Sequence, residues 1–156
     1  MAYANLGAVK QTKAELSDLP DDAREAYLRA AIADYGRALQ LDPDNRTANL
    51  RLGNLAVAAG RYEAGIAHLE VVWRAAPEDP TTCKALGLAY AWVGEIDKAA
   101  RLLKSIKDIV TELNTWGWWH NHEGRQQVAM NAYRTSLTLE PNQPTLLDLL
   151  AAMESR

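Results

Sequence analysis

Three kinds of marker residue recur at one spacing in this chain, and that spacing constrains the fold more than any other feature. Pro43 and Pro77 are 34 residues apart, as are Gly53 and Gly87, and Gly60 and Gly94. From Gly87 to Gly117 and from Gly94 to Gly124 the step is 30, and from Pro77 to Pro141 it is 64, or 34 plus 30. One four-residue deletion accounts for all three. From Gly7 to Gly53 the step is 46, or 34 plus a 12-residue insertion. A fixed period of this length marks an array in which each unit is one supersecondary motif.

Within a period the apolar residues follow helical spacing. Asn49, Leu52, Gly53 and Ala56 share one face of a predicted helix, and Ile66, Leu69, Val72 and Trp73 share a face of the next. A single hairpin of two such helices cannot bury both faces, whereas stacked neighbours can. Gly53 and Gly87 fall inside helices, at ~1 kcal/mol each against alanine. That cost is tolerable where two helices must approach closely. Asp18, Pro20, Asp21 and Asp22 predict a helix start, with a cap, a proline in the first turn and acids near the positive end of the helix dipole.

Residues 46–79, RTANLRLGNLAVAAGRYEAGIAHLEVVWRAAPED, and residues 80–109, PTTCKALGLAYAWVGEIDKAARLLKSIKDI, resemble tetratricopeptide repeats. The family's Leu-Gly pair stands as Leu52-Gly53 and Leu86-Gly87. Its turn glycine stands as Gly60 and Gly94, followed by Tyr62 or Ile96 after one polar residue. The small residue early in the second helix is Gly65, Ala99 and Ala129, and the closing proline is Pro77. Two further units are degenerate. The first carries Leu6-Gly7 and, far later, Ala31, Tyr35, Ala38 and Pro43, with extra residues near LSDLPDDAREAY. The fourth carries Trp116-Gly117, Gly124, Ala129, Tyr133 and Pro141, with Trp116 in a leucine place.

The resemblance implies an all-α fold, a right-handed superhelical solenoid of antiparallel helix pairs. It implies one domain over 1–156, with repeats at about 1–45 (carrying the insertion), 46–79, 80–109 and 110–143, and a capping helix at 144–155. A tight, atypical junction is expected near 107–111. The cap, PTLLDLLAAMESR, is opened by Pro144 and Thr145, and Leu146, Leu147, Leu149 and Leu150 are expected to cover the last open face.

Family geometry also implies a concave groove lined by the first helix of each pair. It places Leu50, Arg51, Asn54 and Val57 there from the second unit, and Lys84, Leu88, Ala91 and Trp92 from the third. From the fourth it places Asn114, Thr115, Trp118, Asn121 and His122. Trp92 and Trp118 either line the groove or pack on the next repeat or the capping helix. Trp116 is expected in the core and Trp119 partly buried. The mixture suits a peptide with one or two hydrophobic anchors, because desolvated Trp and Arg concentrate binding energy. One branch of the family clamps C-terminal carboxylates with lysine, asparagine and arginine. Here Asn54 matches, but the lysine place holds Leu50, the later asparagine place Ala85, and the basic pair Thr111 and Thr115. That mode is not expected.

Signals for chemistry are weak. In WWHNHEGR, His120 and His122 are two residues apart, which on a helix turns the imidazoles about 200° from each other. Helical metal pairs are usually four apart, so no metal or cofactor is expected, and His120 falls in a core place. Cys83, the one cysteine, sits at an apolar position of a first helix and reads as a small hydrophobe. No phosphate loop, nucleophile elbow or zinc-finger spacing is present.

Hydrophobic residues at 48% and charged residues at 24% exclude a disordered chain. A net charge of -3 with scattered Lys and Arg argues against nucleic acid as a partner. No apolar run approaches the ~18 residues of a membrane span, and MAYANLGAVKQTK has no signal-peptide pattern. The expectation is a non-enzymatic, cytoplasmic scaffold that holds a peptide or partner helix in its groove. The alternative is the repeat portion of a larger bacterial enzyme or membrane protein, such as a glycosyltransferase or polysaccharide-assembly protein, since the pattern begins almost at Met1. Self-association through the first helix, at Leu6 and Val9, is a third reading.

Overall fold

The structure is a computed structural model and describes residues 2–16 and 18–155. Among the described residues every regular element is an α-helix. The chain divides into two compact units, residues 1–75 and 76–156.

The first unit holds α1 (Ala2–Leu16), α2 (Asp21–Leu41), α3 (Arg46–Ala58) and α4 (Tyr62–Ala75). The helices pair as α1 with α2 and α3 with α4. The 12-residue insertion is absorbed by the first pair, where α2 runs for 21 residues against 14 in α4. Asp21 and Asp22 occupy the first turn of α2, as its dipole favours. Asp18 does not cap this helix; Pro20 holds the cap position with no side-chain hydrogen bond. Tyr35, Ala4, Ala31, Ala38 and Ala48 form the core, with Leu39, Leu52 and Leu55 packed on it. The Tyr35 hydroxyl donates to Gln11 Oε1 at 2.9 Å. Buried Asp34 takes an ion pair from Lys10 at 2.5 Å, so the core's polar groups are partnered between α1 and α2.

The second unit holds α5 (Pro80–Val93), α6 (Ile96–Leu103), α7 (Ile109–His122), α8 (Gln126–Leu139) and α9 (Pro144–Glu154). The helices pair as α5 with α6 and α7 with α8, and α9 packs on α8. The four-residue deletion falls on α6, which has 8 residues where α4 and α8 have 14. The chain turns over 104–108, and Asp108 adopts a left-handed conformation (φ 57). It delivers Ile109, 5% exposed, into the core. The expected atypical junction lies here.

The period seen in sequence is a period of hydrogen bonds. Asn45 accepts from Ala48 N at 3.1 Å to cap α3, and Asp79, 34 residues later, accepts from Thr82 N at 2.9 Å to cap α5. Asn49 Nδ2 donates to Pro43 O at 2.8 Å, and Cys83 Sγ donates to Pro77 O at 3.1 Å. Asn49 and Cys83 are therefore the same position with different donors tying the helix back to its loop. Gly60, Gly94 and Gly124 each turn a hairpin with positive φ (74, 85 and 75), the region that glycine enters without steric cost.

On α9, Leu146 and Leu150 are buried against Ala129 and Tyr133 of α8. Leu147 and Leu149 are 49% and 41% exposed, so two of the four capping leucines do not cover the core. Among the described residues no helix is long and apolar enough to cross a membrane.

Candidate functional site

In the first unit, the expected groove residues lie on α3. Arg51 and Asn54 are exposed, and Leu50 and Val57 are half-buried. Val57 packs into the α3–α4 hairpin: a Cβ built on Gly65 of α4 would come 2.5 Å from Val57 Cγ2. It is therefore a packing residue, held where α4 has no side chain.

In the second unit the structure separates the expected set. Trp92, placed in the groove by family geometry, is 6% exposed. Its ring meets His120 edge-on at 5.0 Å and Trp116 at 6.3 Å, and its carbonyl accepts from buried Asn131 Nδ2 at 3.2 Å. It is core, on the side of α5 that faces α7 and α8. Ala91 is likewise fully buried. Trp116, expected in the core, is 43% exposed. The space beside Gly117 is filled by the Tyr133 ring, and the Trp116 indole lies over His120, stacked at 6.0 Å. Trp119 is 51% exposed. Leu88 is half-buried, and Lys84 pairs with Glu112 of α7 at 2.7 Å.

His120 is 5% exposed, and neither ring nitrogen has a hydrogen-bond partner among the described residues. Burial, assisted by the positive charge of Arg125, lowers its pKa from 6.5 to about 4, so it is neutral near pH 7. His122 stands on the surface, its ring 3.7 Å from that of Trp118, with its Nδ1 2.8 Å from the Trp118 carbonyl oxygen. The two imidazoles therefore lie in different environments, one in the core and one on the surface.

Asn114, Trp118 and His122 follow one another at four-residue steps along α7, which places them on one face. Trp118 is 49% exposed and is flanked by the His122 ring, tilted 33° to it, and by Trp119 edge-on at 5.1 Å. A shallow recess lies on each side of it. One, of about 390 Å³, is lined by Asn114, Trp118, Tyr133, Gln143, Leu146 and Leu149, with Pro144 and Thr145 at the start of α9. The other, of about 460 Å³, is lined by Thr111, Asn114, Thr115 and Trp118. Asn121, on the same helix, is half-buried.

Gln143 holds this region together. Its Oε1 accepts from Asn114 Nδ2 at 2.8 Å, and its Nε2 donates to the carbonyl oxygens of Ser136 and Glu140. One side chain thus joins α7, the end of α8 and the start of α9. Sequence reading missed Gln143, Leu149 and Thr111 as lining residues. The tail was read as a cap alone, although helical spacing sets Leu149 beside Leu146 and at the edge of the buried stripe.

The family profile described as tetratricopeptide repeat matches residues 28–86 and 56–111, which together span more than half of the chain. The chain belongs to the tetratricopeptide-repeat family. No curated protein matches it significantly. Among solved structures it is similar to a MamA protein, 19% identical with a TM-score of 0.57, over 99% of this chain and 81% of that one. It is likewise similar to MamA of AMB-1, at 22% identity and a TM-score of 0.55, over 99% of this chain and 80% of that one. At such identities the likeness is one of fold: helix-pair repeats throughout. A tetratricopeptide-repeat protein is a protein-interaction scaffold, and the family is typically non-catalytic.

Proposed function

We propose that the chain holds a partner polypeptide on the first-helix face of its second unit, with Trp118 as the anchor. One observation carries this reading: a half-exposed indole flanked by two aromatic neighbours, with a recess on each side. A side chain already in contact with its neighbours loses less conformational freedom on binding, and tryptophan is enriched among residues that dominate interfaces. Lys84, Leu88, Asn121 and His122 of the second unit would add contacts without dominating. Lys84 starts from an ion pair with Glu112 that a ligand must compete with or join. Substrate presentation within a larger enzyme or membrane protein would use the same face.

Capture of partners from the source organism tests this, comparing the chain with folded Trp118→Ala and Leu149→Arg variants. A partner held by the parent and lost by both variants supports the reading. A partner held equally by all three moves the site elsewhere. A second reading, self-association through α1, has its own support: Tyr3, Leu6 and Val9 are 38%, 45% and 66% exposed. Light scattering of the parent and of Val9→Asp decides it, because a monomeric mass at high concentration removes it.

A further inference from the structure

The three glycine turns are fastened in one way. Arg61 N donates to Ala56 O at 2.8 Å, Glu95 N to Tyr90 O at 3.0 Å, and Arg125 N to His120 O at 2.8 Å. Gly60 N, Gly94 N and Gly124 N donate to Val57 O, Ala91 O and Asn121 O. Each pair of bonds closes a helix on a left-handed glycine. Ala56, Tyr90 and His120 are therefore one repeat position, the residue on which the end of the first helix is locked. All three are buried. Of the three, only histidine takes up a proton between pH 7 and pH 5.

His120 packs against Trp92 of α5 and Trp116 of its own helix. Neither of its ring nitrogens meets a hydrogen-bond partner among the described residues. Protonation would bring two donors and a full charge into this aromatic packing. The ionised groups on the surrounding elements are engaged elsewhere. Lys84 of α5 pairs with Glu112, Glu95 before α6 with Lys98, and Arg134 of α8 with Glu154 of α9. Burial keeps Tyr133 of α8 uncharged near pH 7. Arg125, paired with Glu123, repels the protonated ring. The imidazolium is stable only in water. His120 stands in the last turn of α7, so freeing it requires one turn and its glycine lock to open, not the whole hairpin. That turn also carries the contact between the Trp118 and His122 rings, at 3.7 Å.

We propose that the last turn of α7 is an acid-released catch: His120 takes up a proton, its ring leaves Trp92 and Trp116, the Gly124 lock opens, and Trp118 and His122 lose their ring contact. The opening stands by itself; its consequence, release of a polypeptide from Trp118 in acid, rests on the docking face proposed above. His120 has a pKa of about 4 in place and about 6.5 once in water. The closed turn is therefore favoured fully above about pH 6.5 and progressively less as pH falls toward 4. Between pH 7 and pH 5 the opening equilibrium should rise about twentyfold.

Amide hydrogen exchange of the 15N-labelled chain at the two pH values tests this, each rate divided by that of an unstructured amide at the same pH. The Gly124 and Arg125 amides are expected to lose about twentyfold of their protection at pH 5, while those of Gly60, Arg61, Gly94 and Glu95 keep theirs. The loss should vanish in His120→Phe and in His120→Tyr, which copies the residue α5 carries at the same position. It should persist in His122→Gln, the other histidine of the turn. No loss at Gly124 and Arg125, an equal loss at all three turns, or a loss that survives both His120 variants overturns the inference. Partner capture that depends on Trp118 at pH 7, and weakens at pH 5 in the parent but not in His120→Phe, ties the catch to binding. Equal capture at both pH values cuts that tie. Capture indifferent to Trp118 at pH 7 removes the docking face, and exchange still decides the catch.

Discussion

Gly53, Gly87 and Gly117 occupy one position in successive repeats, and the structure gives alanine there a definite cost. A Cβ on Gly53 would lie 2.7 Å from Leu69 Cγ, and on Gly87 2.6 Å from Leu103 Cγ. On Gly117 it would fall within 2.8 Å of Cδ1, Cε1 and Cζ of the Tyr133 ring. Gly36, inside α2, has nothing within 4 Å and serves as the internal control. Alanine in a helix gains about 1 kcal/mol over glycine through propensity. Gly36→Ala should keep that gain and raise Tm by roughly 2–4 °C for a chain of this size. At Gly53 and Gly87 overpacking of about 1–3 kcal/mol opposes it. Leu69 and Leu103 are both fully buried and have little room to yield, so the net is a loss of up to about 2 kcal/mol. Gly117→Ala should be the worst, because a tyrosine ring 2% exposed cannot bend away. A net loss of about 2 kcal/mol would lower Tm by roughly 4–8 °C. The assay is thermal unfolding followed by far-ultraviolet circular dichroism on all four variants. Tyr133→Leu combined with Gly117→Ala should recover part of the loss, since the two changes share one contact. Equal upward shifts for all four alanines would refute the close approach of the paired helices.

Three further outcomes follow from particular residues. His120 holds a pKa of about 4 in the fold against an ordinary 6.5, so the unfolded chain takes up its proton first. Its contribution is intact above about pH 6.5 and is lost as pH falls toward 4, amounting to roughly 2 kcal/mol between pH 7 and pH 5. Urea unfolding at both pH values should show the parent losing about that much more than His120→Phe; parallel losses would place His120 in water. Asp79→Ala removes the acceptor for Thr82 N and for the buried Thr82 hydroxyl, and should cost about 1–2 kcal/mol in the same assay. Gln143→Ala removes the tie among α7, α8 and α9. It should speed amide hydrogen exchange across α9 while leaving α3 and α4 unchanged; uniform protection would show that α9 is held by Leu146 and Leu150 alone.

Much of the architecture was legible because the markers are backbone requirements. A left-handed turn at Gly60, Gly94 and Gly124 and a close helix approach at Gly53, Gly87 and Gly117 each demand glycine, so their spacing reports geometry directly. The deletion was visible as a change of step from 34 to 30. Its seat in α6 was not, because the second helix of that repeat keeps its apolar face while losing its last turns. The tryptophans were the least legible. Helical counting gives the direction a side chain leaves the backbone, but Trp92 and Trp116 differ in what stands opposite. Trp92 meets His120 and a partner from α8, Asn131; Trp116 lies over His120 and stays 43% exposed. Those are long-range packing choices that a local pattern does not encode. The recess had the same difficulty, since Asn114 and Gln143 are 29 residues apart in sequence and meet only once α7 and α8 have paired and the chain has turned at the end of α8.

The central claim is that a partner polypeptide occupies the face of α7 beside Trp118. The most direct measurement is photocrosslinking in the source organism, with a photoreactive phenylalanine analogue at Thr115, which lines the recess, or at exposed Thr138 of α8, which does not. The account predicts a discrete adduct with another polypeptide from position 115, lost when Trp118→Ala is added, and none from position 138. An adduct from position 138 alone, or one from position 115 that is indifferent to Trp118, would contradict it.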